Sequence, residues 1–423
     1  MAARQFSLED RLILQLCRNA PEYPMVLEEI RRESVSWSRF VRTAQAHQVA
    51  PLVLDRLLGL PLPNAVRIEL QEVGKFEIVS VIHVNAVLRT ALSSMLQKLR
   101  ARKIEVILLK GLSLDFSGLR WTGDIDLMVP EDRIVEAIDA VLSIDGYVYR
   151  RMGRVRLDES GFSCRQRLPE SEQRRVRSQL AWNNEFLLHN PGNDVLVELH
   201  HRLFQVRNPD GRIMVNIDGV LQGTPLFWQH RRNDPALGCA TLSAAHSLLL
   251  SCLRNAIKQP PANECFQLSN LVDIDNLAAA GMPWPLFLRD CLALKAAPFV
   301  LFSLNLAHQL LGTQIPPSVL QGLAGACTPG QLRALSIHRR CLTSLDSTNL
   351  VSSKLYKAMS PFVFGGTFWE RLQWLVLMPV WLPSRTQMAE FYKLRKGSAW
   401  VALAYLANPV RWVYRVLTWH RRS

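Results

Sequence analysis

Among the eight cysteines of this 423-residue chain there is no Cys-x-x-Cys pair and no cysteine–histidine grouping at zinc spacing. That pattern excludes the common structural zinc sites. The thiols (Cys17, Cys164, Cys239, Cys252, Cys265, Cys291, Cys327, Cys341) read as reduced and mostly buried, as expected of a cytoplasmic protein. Also missing is any uninterrupted apolar run of about 18 residues, so no spanning helix is expected. In MAARQFSLEDRLILQLCRN the acids Glu9 and Asp10 fall where a signal peptide would have its apolar centre, which argues against export. There is no P-loop, no Gly-x-Ser-x-Gly and no His-Glu-x-x-His, so three common phosphate and hydrolytic chemistries have no anchor. Acid is in deficit, with 36 Asp and Glu against 50 Lys and Arg, a net charge of +14. A surface of that sign attracts polyanions: nucleic acid, anionic lipid, acidic polysaccharide or nucleotide phosphates.

What is present is an ordinary folding composition, 48% hydrophobic and 20% charged. A chain of this length predicts two or three domains. The pattern is helical from Ser7 to about Arg100. Trp37, Phe40, Ala44 and His47 recur at three- and four-residue steps, and Pro51 starts a new element. His47 reads as a helix-face residue touching its own domain. A long helix is expected from about Ala65 to Arg102, with Val81, Val84, Val87, Leu88, Ala91, Leu92, Met95, Leu96 and Leu99 forming a face that must pack on something.

The period then shortens. IEVILLKG (Ile104 to Gly111) reads as a buried strand feeding a turn, followed by a short helix (Ser113 to Leu119) and a strand at Ile125 to Val129. A helix over Glu131 to Ser143 and an edge strand YVYRR come next. NEFLLHN and DVLVELHHRL, joined by Pro191-Gly192-Asn193-Asp194, read as a hairpin with Glu198 in its second arm. The expected fold is therefore α+β: a small mixed sheet flanked by an N-terminal helical region (1–102) and a larger C-terminal helical domain (241–423), with the sheet domain at 103–240. Residues 150–179 hold nine arginines against four acids and read as a loop insertion, either a solvated surface or a flap contacting phosphate. The last 55 residues carry six of the eleven tryptophans, and after Trp400 only Arg411, Arg415, Arg421 and Arg422 are charged. Such a tail could lie on a membrane surface, pack on a partner or close the helical core.

Chemistry concentrates at Gly123-Asp-Ile-Asp-Leu-Met-Val129. Residues i and i+2 of a strand face the same way, so Asp124 and Asp126 project together from an apolar strand and call for a counter-charge. A third carboxylate from a neighbouring strand, Glu198, completes an oxygen cage suited to Mg²⁺ shared with substrate phosphates. The backbone at the Lys110-Gly111-x-Ser113 turn could face phosphate oxygens. Lys110 and Arg120 are either phosphate partners or neutralise the acids, and His200 lies on the same side of its strand as Glu198. The same three letters recur at Asp273-Ile274-Asp275, but LSNLVDIDNLAAAG has helical period. There i and i+2 lie about 200° apart and cannot share an ion. Asp275 is expected at the surface, and Asp273 as a contact to the sheet domain.

The string LLKGLSLDFSGLRWTGDIDLMV resembles the signature of the DNA polymerase β-like nucleotidyltransferase superfamily. More closely, the chain resembles the bacterial uncharacterised nucleotidyltransferase family. The residues that carry the likeness are Lys110-Gly111, Arg120-x-x-Gly-Asp-Ile-Asp-Leu-x-Val, Glu198-Leu199-His200 and the upstream Trp37, Phe40, Ala44, His47 and Pro51. The resemblance implies Asp124, Asp126 and Glu198 as catalytic metal ligands for Mg²⁺ or Mn²⁺. It places Lys110, Gly111, Ser113, Arg120 and His200 around an NTP, ATP being the expected one, although Leu112 separates Ser113 from a glycine that it usually follows directly. The implied activity is transfer of a nucleoside monophosphate to an acceptor of anionic character. The alternatives are a non-catalytic nucleotide-binding accessory protein docking on a membrane or polysaccharide-assembly machinery, and a protein adenylyltransferase. Localisation is expected to be cytoplasmic, with peripheral membrane or protein contact through the tail.

Overall fold

The computed structural model describes residues 6–150, 163–164, 166–180, 183–203, 224–257, 267–341 and 345. The tryptophan- and arginine-rich tail and most of 150–165 lie outside them. The order begins with helices α1 (Leu8–Cys17), α2 (Tyr23–Arg32), α3 (Trp37–Ala46), α4 (Ala50–Leu58) and the 38-residue α5 (Asn64–Ala101). Local signals set their starts: Ser7 caps α1 by accepting the Asp10 N–H at 3.2 Å. A proline sits in the first turn of α2 and of α4.

The sheet strands are β1 (Ile107–Leu108), β2 (Asp124–Met128), β3 (Val148–Arg150), β4 (Ser163–Cys164), β5 (Glu185–Asn190), β6 (Val195–His200), β7 (Arg231–Asp234) and β8 (Cys239–Leu242). Between them lie α6 (Ile134–Leu142), α7 (Glu170–Gln179) and α8 (Thr224–Gln229). The C-terminal helices are α9 (Ala244–Ile257), α10 (Leu268–Ala279), α11 (Trp284–Ala293), α12 (Ala297–Leu311), α13 (Pro317–Gly325) and α14 (Pro329–Cys341). The strands form one mixed sheet in the order β4-β3-β5-β6-β2-β1-β8-β7. The α+β class with helices before and after the sheet is thus as the sequence indicated.

Strand alternation divides the core in two. Leu108, Ile125, Leu127, Val129, Val197 and Leu199 point to one face, where they pack with α6 and with Leu88 to Leu99 of α5. The intervening Ile107, Leu109 and Met128 point to the opposite face, into a core shared by α1–α4 and α9–α14. Asp124 and Asp126 have the same parity as Met128, so they project on this second face, towards the C-terminal helices.

Several local expectations are corrected. The segment after Gly111 is a four-residue 3₁₀ turn (Gly111–Leu114), not a helix reaching Leu119. Asp115 ends it, its carboxylate accepting the Asn85 amide at 3.2 Å and the Arg120 backbone N–H at 3.2 Å. YVYRR is not an edge strand, because β4 pairs outside β3. Within the arginine-rich stretch, residues 170–179 are helical rather than a loop, since Val176 and Glu172 are buried there. The β7–β8 hairpin was not foreseen; Arg231–Asp234 is too polar to show a strand period. Asp275 is buried, not at the surface: it accepts the backbone N–H of Asn19 at 2.7 Å, where the end of α1 meets α10. Among the described helices α5 alone is long and apolar enough to cross a membrane, yet Leu88, Leu92, Met95, Leu96 and Leu99 are buried within the protein.

Candidate nucleotidyl-transfer site

Three adjacent strands bring the acids together. β2 runs parallel to β6 with Asp126 opposite Glu198, and β6 runs antiparallel to β5 with His200 opposite Glu185. Parallel pairing in this register sets two carboxylates side by side although 72 residues separate them in sequence. Gly111 precedes the site at φ +68°, and a Cβ there would lie 2.7 Å from Thr122 Cγ2. Only glycine permits both the left-handed backbone and this close approach of the two loops.

Lys110 is the nearest cation. Its Nζ lies 2.6 Å from Asp126 Oδ2 and 3.0 Å from Asp124 Oδ2, so it neutralises the acidic pair. Asp126 is completely buried. Burial alone would raise its pKa, but Lys110 and the His200 hydrogen bond, with a further contribution from Arg254, hold it well below the usual carboxylate range. His200 shares a hydrogen with Asp126 Oδ1 across 3.1 Å and lies 3.4 Å from Glu198 Oε2 and 3.5 Å from Glu185 Oε2. Burial lowers the pKa of such an imidazole. The hydrogen bonds to Asp126 and Glu198 outweigh it and push His200 up to about 9, so it is a cation at neutral pH. Glu198 moves the other way: burial, then the neighbouring Glu185 and Asp126, raise its pKa.

The carboxylates suit a divalent cation. Side-chain atoms of Asp126, Glu198 and His200 all lie within 4.8 Å of one another; His200, protonated and bonded to Asp126, steadies that carboxylate and leaves the acids as the candidate ligands. Asp126 Oδ2 and Glu198 Oε2 are shielded from solvent and make no well-aligned hydrogen bond, their charge being met by Lys110 at 2.6 Å and His200 at 3.4 Å. Carboxylates held side by side in this way still concentrate negative charge, which a divalent ion would offset.

The other candidates are placed as follows. Ser113 is half-buried on the 3₁₀ turn. Arg120 is not free for phosphate: its Nε and Nη2 each donate at 2.8 Å to the two carboxylate oxygens of Asp273 on α10. Asp273 thus contacts the loop that leads into β2, the contact to the sheet domain expected of it. His201 faces away, bonded to the Asn183 carbonyl at 2.8 Å and stacked on Phe186. Two residues escaped the sequence reading. Glu185 carried no motif and is recruited only by the β5–β6 register. Asp115, inside LSLDF, organises the loop that leads to Arg120.

Residues 33–312 match the family described as uncharacterised nucleotidyltransferase, a span of more than half the chain. The chain belongs to this family. The match begins just before α3 and ends at Gly312, beyond α12, so it takes in the sheet, the acid cluster and the α10 helix that pairs with Arg120. Membership of the uncharacterised nucleotidyltransferases points to a transferase acting on NTP. Comparison with curated proteins and with solved structures finds no match.

Proposed function

We propose that this protein is a divalent-metal-dependent nucleotidyltransferase that moves a nucleoside monophosphate from an NTP, ATP in the first instance, to an acceptor hydroxyl. The observation that supports it most is the buried cluster of Asp126, Glu198 and His200 beside Asp124, in a chain of the nucleotidyltransferase family. In the reaction the acceptor oxygen bonds to the α-phosphorus, the bond to the bridging oxygen of pyrophosphate breaks, and the hydroxyl proton leaves to a base. Asp124, Asp126 and Glu198 are the residues that would hold the metal. When bound, a divalent ion polarises the phosphoryl oxygens and offsets charge on the leaving pyrophosphate.

The remaining work falls to the chain itself. His200 fixes Asp126 through Oδ1 and is in turn faced by Glu185, which leaves Asp126 Oδ2 directed at Lys110. Lys110 keeps the acidic pair compact and lies at hand for phosphate once the pair has another counter-charge. Glu198, with its raised pKa, is the carboxylate suited to accept the acceptor proton. The net charge of +14 favours an anionic acceptor.

The test is incubation of the full chain with Mg²⁺, α-labelled ATP and a cell extract. Label should pass to a product in a reaction lost in Asp126→Asn, and its appearance in protein rather than in RNA or a soluble compound would identify adenylylation. Equal transfer by Asp126→Asn would remove the proposal.

A further inference from the structure

Arg254, on α9, is a cation with no assignment. Its Nε is shielded from solvent and has no hydrogen-bond partner. Among the described residues it enters no ion pair, in contrast to Arg120, which Asp273 holds at both ends, and to Lys110, which lies between two aspartates. A guanidinium nitrogen buried without an acceptor costs on the order of 1–3 kcal/mol, so its retention calls for a partner that the fold itself does not supply.

Its position indicates what that partner is. α9 follows directly from β8, which pairs with β1, which in turn pairs with β2. The neighbouring Leu250 and Leu253 belong to the core that also receives Met128, on the sheet face from which Asp124 and Asp126 project. α9 also packs on α10, the helix that carries Asp273 and so holds Arg120 beside the acidic loop. The charge of Arg254 is felt at Asp126, where it adds to the effects that keep the carboxylate ionised. It does so without an ion pair among the described residues, which leaves the Nε–H without an acceptor. Next to a cluster of carboxylates that would hold a metal, the group needing a planar, multiply donating cation is a phosphate oxygen.

We infer that Arg254 is a binding residue for the polyphosphate of the NTP, supplied from the C-terminal helices to the sheet face that carries the acid cluster. The inference rests on the nucleotidyltransferase reading above. It divides the labour between the sheet and the C-terminal helices: carboxylates from β2 and β6 for the metal, and a guanidinium from α9 for the β- and γ-phosphates that leave as pyrophosphate.

Inorganic triphosphate and Mn²⁺ are the probes, each titrated calorimetrically into the full chain as wild type, Arg254→Met, Arg254→Lys and Asp126→Asn. The expected result is that Arg254→Met weakens triphosphate binding about tenfold or more, equivalent to about 1.4 kcal/mol or more, while binding Mn²⁺ no more weakly than wild type. Arg254→Lys, which keeps the charge and loses the fork, should fall between. It also covers the case in which Arg254→Met fails to fold. Triphosphate binding as tight as wild type in Arg254→Met, or in Arg254→Lys if only that variant folds, overturns the inference. So does loss of Mn²⁺ binding in either Arg254 variant, since the arginine would then be supporting the acid cluster. The underlying reading fails separately, if Asp126→Asn binds Mn²⁺ as well as wild type does.

Discussion

His200 is the residue on which three strands converge, since its ring touches carboxylates from β2, β6 and β5. It is hydrogen-bonded to Asp126, and replacements of groups that support a ligand in this way typically lower metal affinity about 10–100-fold. His200→Gln should therefore weaken Mn²⁺ binding by that order in a titration, with the protein still folded. Gly111 makes a second prediction at this scale. Alanine there would adopt φ +68° against its preference and press its Cβ on Thr122. Gly111→Ala should cost about 1–2 kcal/mol or more in urea unfolding. Gly123→Ala, where no atom lies within 4 Å, serves as the control and should change stability by about 0.5 kcal/mol or less.

At the scale of elements, the bidentate pair between Arg120 and Asp273 fastens the loop before β2 to α10. Both partners are well shielded, with side chains 15% and 5% exposed, so breaking the pair leaves an uncompensated charge. Asp273→Ala should destabilise by about 3–5 kcal/mol. The double variant with Arg120→Met should cost clearly less than the sum of the two single changes, which a denaturation cycle measures. This scale also marks how far the sequence could be read. The Asp124/Asp126 pair and Glu198 were legible because strand alternation and a Pro-Gly-Asn-Asp turn are local signals. The long α5 was legible for the same reason, through an unbroken apolar face from Val81 to Leu99. Glu185 was not, because only the β5–β6 register places it beside His200. The strand at Arg231–Asp234 stayed hidden because pairing with β8, not its own composition, makes it a strand. Arg120 read as a phosphate partner or a counter-charge for the acids; its bidentate partner, Asp273, lies 153 residues away.

For the whole molecule, the two helical regions and one sheet face share a single core, so the site's geometry depends on packing well away from it. His246, in α9, is part of that packing. It bonds to Ser243 Oγ at 2.7 Å and to Asp290 of α11 at 3.1 Å, and stacks on His230 with centroids 4.2 Å apart. Burial, followed by the charge of His230, lowers its pKa from 6.5 to about 4. The unfolded chain therefore takes up a proton at this position before the native protein does. Its contribution to stability is complete above pH 6.5 and is lost as pH falls towards 4. The midpoint of thermal unfolding should drop over that interval, and more steeply in wild type than in His246→Gln.

The central claim, that the acids on β2 and β6 form a divalent-metal site, is tested most directly by Mn²⁺ electron paramagnetic resonance on the full chain. Wild-type protein should quench the signal of free Mn²⁺ at stoichiometric concentration, and Asp126→Asn should leave it unquenched under the same conditions. An identical Mn²⁺ signal with wild type and Asp126→Asn would contradict the account.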